Sequence, residues 1–185
     1  MNHTPMSSPH RPVVVLSRAL DQAGDALAVV HPDDLDKPTP CAGWTVRELA
    51  DHLAAAPEHF LQQARGEEVD WSASTGVGGD PAVLAAHFRT HADDLLHHWH
   101  GRPDDQVAQA DWQSAELGVH TWDLVRAIGR KVPLDDEVAE RGLAFIQQGL
   151  TDDNRGDAFG APVGVPDDAP AYDRLVAFAG RDPRA

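Results

Sequence analysis

Glu116 and His120 stand four residues apart in the stretch AELGVHTWDLVRAIG, Ala115 to Gly129. On a helix, that spacing points both side chains from one face, one turn apart, so an oxygen donor and a nitrogen donor reach towards the same point. Leu117, Leu124, Ala127 and Ile128 follow the same periodicity, so this face looks into an apolar core, where an unpaired carboxylate is costly. A divalent cation would meet that charge. So would a simple pairing of Glu116 with His120, or a rotated helix that leaves Glu116 in water, and the two residues alone do not choose among these readings. A third donor stands upstream. His52 lies on the stripe Leu49, His52, Leu53, Ala56 and Phe60, where a histidine is either a satisfied core residue or a ligand. Two imidazoles and one carboxylate leave a fourth position open, the pattern of catalytic rather than structural zinc. The same donors admit iron, nickel or cobalt on geometry alone.

A rival set of imidazoles occurs between the two. His87 and His91 are spaced i, i+4, and His97, His98 and His100 cluster behind them. Gly101 and Pro103 follow, so that cluster is expected in water near a helix C-terminus, where partial negative charge favours it. Cys41 is expected to pack as a small buried hydrophobe, with no flanking base to make it reactive. His59 has no assigned partner.

The elements that must position these groups are helices. Val13, Leu16, Leu20, Ala23, Leu27 and Val30 form one stripe after Pro12, which suits a first turn. The segment HPDDLDKPTPCAG then reads as an ordered loop. Thr45 and Glu48 form a T-x-x-E capping box, with Trp44 and Leu49 placed as a hydrophobic staple. A second helix should run from there to about Arg65, kinked at Pro57. Asp80 and Pro81 open a third, with Leu84, Phe88, Leu95 and Trp99 inward. The Glu116 helix is entered near Asp111 and ends at Gly129, with Arg126 and Arg130 near its negative end. A further helix spans roughly Asp136 to Leu150, burying Val138, Leu143 and Ile146. A proline-rich excursion follows, and then a short amphipathic segment through Leu175, Val176 and Phe178. Alternating strands and internal repeats are not evident. Four long helices and one long crossover predict an all-α four-helix bundle with a C-terminal extension.

Composition narrows the partners. The 185 residues, 42% of them hydrophobic, suffice for one core, so residues 1–11 are expected to be a disordered leader and 12–185 a single domain. A formal charge of −15 repels phosphate backbones and anionic lipid. Nucleic acid and membrane are therefore not expected partners. One cysteine excludes a disulfide framework, and the polar start MNHTPMSSPHRP lacks an apolar signal core. The expected location is the cytoplasm, and a homodimer is the assembly allowed for.

PTPCAGWTVRELADHL (Pro38 to Leu53), AELGVHTWDLVRAIG and FGAPVGVPDDAPAYDRLVAFAGRDP together resemble three blocks of a family of actinobacterial proteins. These are proteins related to the metal-binding domain of mycothiol-dependent maleylpyruvate isomerase, within the DinB-like superfamily. The resemblance implies a DinB-like bundle, and it carries the family's His, Glu and His ligands onto His52, Glu116 and His120, the residues already singled out by spacing. It also implies mycothiol as cosubstrate. The namesake isomerase has a second, C-terminal domain that contributes an arginine to its active site. This sequence ends before such a domain, which counts against isomerase activity itself, although Arg181 in the tail could fold back towards the site.

Two readings of function follow. In the first, a divalent metal, best Zn2+, activates a small thiol for transfer to a small electrophile, with Trp122 and Asp123 as candidates for orienting the ligands, or else as ordinary core residues. Hydrolysis is a variant of it, with water in place of thiol. In the second, the bundle is a non-catalytic metal- or ligand-binding module. A blander version has no metal and lets the three side chains satisfy one another.

Overall fold

A computed structural model of the chain describes residues 11–71, 77–103, 105–155 and 159–185. The expected leader therefore lies outside the described residues except for Arg11, which is already helical and opens the first helix. The elements are α1 (Arg11–Ala28), a 3-10 turn at Pro32–Asp34, α2 (Val46–Ala64), α3 (Pro81–Trp99), α4 (Gln109–Ile128), α5 (Asp136–Gly149) and α6 (Ala171–Phe178). Among the described residues there is no strand, only one isolated antiparallel bridge between Pro38 and Thr45. The all-α helical bundle expected from periodicity is what the chain forms.

The ends of the helices follow local chemistry. Thr45 caps α2 in the expected box: its backbone N–H donates to Glu48 Oε2 at 2.7 Å, and its hydroxyl accepts from the Glu48 N–H at 3.5 Å. Asp80 accepts from the Val83 N–H at 3.1 Å ahead of Pro81, and Gly129 ends α4 with a φ of 67°. Each device satisfies backbone groups that a helix terminus leaves open. Pro57 lies inside α2, which continues through it. The Glu116 helix starts slightly earlier than expected, at Gln109. Asp111 is in its first turn rather than at its cap, and Arg141 of α5 grips that carboxylate with two bonds of 2.9 and 2.7 Å.

The four long helices form a square in which α1 packs on α3 and α4, and α2 packs on the same two neighbours, while α1 and α2 lie diagonally and barely touch. The long connection between α1 and α2, residues 29–45, is what such a diagonal step requires. Their apolar stripes meet in one continuous core that includes Leu16, Leu27, Leu49, Leu53, Phe60, Phe88, Leu95 and Leu117. A second, smaller cluster lies on the outer side of α4, where Val119, Trp122, Leu143, Tyr172 and Leu175 join α5 and α6 to the bundle. Both flanks of α4 are thus covered, and its polar residues Gln113, Ser114, His120, Thr121 and Asp123 are buried with it.

Candidate metal centre

α2 and α4 are neighbours, and the polar residues that face each other across that seam are His52, Glu116 and His120. His52 Nε2 lies 3.1 Å from Glu116 Oε1, and His120 Nε2 lies 3.2 Å from the same oxygen. Two imidazoles from different helices therefore converge through the same ring nitrogen on a single carboxylate oxygen. Donor atoms at 2.0–2.1 Å from a tetrahedral zinc would stand about 3.3–3.4 Å apart. These two separations are close to that spacing, and all three donors lie within 4.8 Å of one another, so the three side chains are compatible with an ion. They also fit a closed hydrogen-bonded trio, the reading without metal.

His120 is 5% exposed, and its other nitrogen is committed. Nδ1 stands 3.2 Å from Asp123 Oδ2, three residues on along α4. Asp123 is fully buried and is held in turn by Arg181, whose Nε and Nη2 donate to its two oxygens at 3.2 and 2.9 Å. Arg181 comes from the C-terminal turn. Its N–H returns to the Val176 carbonyl at 2.8 Å, and Gly180 before it has a φ of 88°. A side chain at Gly180 would collide with the Gly160 backbone at 2.5 Å, so only glycine permits this turn.

The charges in this chain act on one another. Burial pushes the Glu116 carboxyl up, but the charge of His120 and hydrogen bonds from His120 and His52 outweigh it and hold the group well below the carboxylate range. Burial pushes His120 down, but the Glu116 charge, Asp123 and the Cys41 thiol overcome that and raise it well above its ordinary value. For Asp123, burial raises the pKa, and bonds from His120 and Arg181 bring it below normal. The site is thus an alternating row of opposite charges running from Glu116 to Arg181.

Two aromatic or sulfur groups near the trio have roles beyond those read from the sequence. Trp44, expected as a staple at the α2 entrance, places its ring 4.9 Å from His52 and stacks at 6.0 Å on His120, covering both imidazoles. Cys41 is buried as expected, yet it is more than a small hydrophobe: its thiol hydrogen-bonds with His120, and its sulfur lies within 4.8 Å of donor atoms of His120 and Asp123. Nothing in the local sequence signals either contact, because both depend on how the loop at residues 38–45 folds over α4. Trp122 faces the α5 and α6 cluster and carries Arg126 over its ring at 5.8 Å, so it packs rather than orients the ligands. His59 is buried with its ring against Trp71 at 5.1 Å. His97, His98 and His100 line a separate cleft at the far end of α3 and do not approach His52 or His120. Beside Arg181, a cleft of about 550 Å³ runs between the Pro38–Pro40 loop and the C-terminal turn, with Lys37 and Arg126 also on its wall.

The profile of the family described as the mycothiol maleylpyruvate isomerase N-terminal domain matches residues 16–125, which include His52, Glu116 and His120. Two uncharacterized proteins of Mycobacterium tuberculosis, from strains CDC 1551 / Oshkosh and ATCC 25618 / H37Rv, are each 28% identical to this chain over 190 residues. The match covers 94% of this chain and 99% of each relative. No solved structure matches. No helix among the described residues is long and apolar enough to cross a membrane.

Proposed function

This chain belongs to the mycothiol maleylpyruvate isomerase N-terminal domain family, and from that premise we propose that it is a metal-dependent thiol transferase. His52, Glu116 and His120 hold a divalent ion, zinc suiting two imidazoles and a carboxylate best. The cosubstrate is a low-molecular-weight thiol, mycothiol by family, and the acceptor is a small electrophile in the cytoplasm. The observation that carries the reading is the convergence of two Nε2 atoms on one Glu116 oxygen. A hydrogen-bonded trio would converge in the same way, and what favours the ion is that the family match covers all three residues.

When bound, the ion supplies acidity, converting a thiol with an ordinary pKa near ~8.5 to thiolate at neutral pH. The chain's own residues do the positioning. Asp123 accepts from His120 Nδ1 and so keeps Nε2 turned to the seam, and Arg181 fixes Asp123 with two bonds. Trp44 covers the imidazoles and keeps bulk water from that side.

Metal content and a thiol titration test the proposal together. Replacing His52 or His120 by Ala should remove the ion held in this seam, while replacing His97 or His98 should not. Cobalt-substituted protein should gain a sulfur-to-metal charge-transfer band on addition of mycothiol, and Glu116→Ala should weaken it through lost metal. Acid should abolish binding, since imidazoles ligate only when neutral. An unchanged cobalt spectrum at saturating thiol, with no electrophile consumed in a broad screen, would establish the non-catalytic binding module instead. Unchanged metal in His120→Ala would remove the site itself.

A further inference from the structure

We propose that Glu58 of α2 with His87 and His91 of α3 forms a second divalent-metal site, distinct from the seam between α2 and α4. His87 and His91 are one turn apart on α3, and their rings lie 4.2 Å apart between centroids. Glu58 reaches them from α2, the helix against which α3 packs. Its Oε2 stands 3.3 Å from His87 Nε2 and 3.9 Å from His91 Nε2, and one ligand atom from each residue falls within 4.8 Å of the others. The first of these distances already equals the donor spacing of about 3.3–3.4 Å around a tetrahedral ion, and the second needs only a small turn of the His91 ring.

One atom argues for a ligand over an ordinary ion pair. His87 Nε2 is shut off from solvent and makes no hydrogen bond. The Glu58 oxygen is near enough to accept from it but lies off the direction that an N–H bond needs. A buried ring nitrogen without a hydrogen-bond partner is costly, and an ion between it and the carboxylate removes the cost. Asp94 Oδ2, 3.9 Å from His91 Nδ1, stands where an outer partner would keep His91 Nε2 turned to the ion. The three side chains are 40%, 27% and 26% exposed for Glu58, His87 and His91, so an ion can enter from solvent and retain water.

The two sites use different faces of α2. Glu58 follows His52 by six residues, which at about 100° per residue turns it roughly 120° away around the helix. His52 therefore serves α4 and Glu58 serves α3. Two imidazoles and a carboxylate select zinc, nickel or copper over calcium or magnesium, which prefer all-oxygen shells. Bound there, the ion clips α3 to the helix that carries His52.

Tag-free apoprotein titrated with Zn2+ against a chromophoric chelator tests this. The full chain should take up about two equivalents, and H87A/H91A about one, with the affinity of the lost equivalent falling more than ~100-fold, beyond what loss of an outer partner alone gives. H52A/H120A should retain the equivalent that H87A/H91A loses, and its thermal midpoint should still rise on adding Zn2+. H97A/H98A should bind as the parent does. Stoichiometry unchanged between the parent and H87A/H91A overturns the second site whatever the first one does. Loss of one equivalent in H87A/H91A, with none lost in H52A/H120A, overturns the proposed thiol site and leaves this one standing. Should H52A/H120A fail to fold, the comparison of H87A/H91A with the parent decides alone, since those two histidines lie outside the apolar core.

Discussion

Removing Arg181 should destabilise the protein, because Asp123 is fully buried and would lose two of its bonds, keeping the one to His120 Nδ1. Asp123 has no exposure and Arg181 only 4%, and two bonds of 2.9 and 3.2 Å join them. Two unit charges about 4 Å apart in a medium of effective dielectric ~20 attract by ~4 kcal/mol. Mutational experience with one partner of a buried pair deleted gives about 3–5 kcal/mol when the survivor is stranded, a ceiling here because Asp123 keeps His120 Nδ1 and Arg181 keeps the Ala179 carbonyl. Arg181→Met and Asp123→Ala are each therefore expected to cost more than about 1 and up to about 3–5 kcal/mol, at most roughly 6–20 °C in thermal midpoint for a chain of this size. Urea unfolding of the metal-free protein, followed by circular dichroism, reads the loss directly. The double variant should lose much less than the sum, because deleting both charges leaves neither stranded. Metal affinity gives an independent reading: Asp123→Ala frees His120 Nδ1 and should weaken ion binding by about 10–100-fold. Asp123→Asn, which still offers an oxygen to that nitrogen, should weaken it less. Losses below about 1 kcal/mol in both single variants, or strict additivity in the double one, would refute the idea that the pair acts as a unit.

Other perturbations reach different links of the same structure. Gly180→Ala should displace the C-terminal turn, since a Cβ there meets the Gly160 backbone at 2.5 Å; a mobile Arg181 should then show as increased proteolysis of the tail and weaker metal binding. Asp34 is buried, and although burial alone would raise it, bonds from Arg130, Lys37 and the His31 N–H hold its pKa below the ordinary 3.8. A depressed carboxyl stabilises the fold above its unfolded pKa and loses that contribution as the pH falls below it. Asp34→Asn should therefore lower stability at neutral pH and flatten the fall seen in acid unfolding below about pH 4. Trp44→Ala should leave the helices intact by circular dichroism but expose His52 and His120, which faster hydrogen exchange or carbethoxylation of those rings would detect.

The bundle was legible in the sequence because its signals are local. The stripe from Val13 to Val30, the Thr45 and Glu48 box, and Asp80 before Pro81 each act within a turn or two of chain, and each appears where its chemistry requires. Glu116 and His120 were legible for the same reason, since four residues of helix fix their mutual direction. Placing His52 opposite them took a further step, the convergence of facing helices in a bundle, which spacing alone cannot give and with which the family blocks agreed. Trp44 and Cys41 illustrate what remained hidden, and Arg181 what the tail suggested but could not place. Each is brought to His120 or Asp123 by irregular backbone, through the loop at residues 38–45 or the turn at Gly180, and irregular backbone carries no period to read. Glu58 was hidden differently. On its own helix it is an ordinary half-exposed acid, and only the docking of α3 beside α2 sets its oxygen 3.3 Å from a buried histidine nitrogen. The residues that spacing reveals are thus those that donate from one helix, whereas the residues that complete each cluster come from the partner helix or the loop that closes over it.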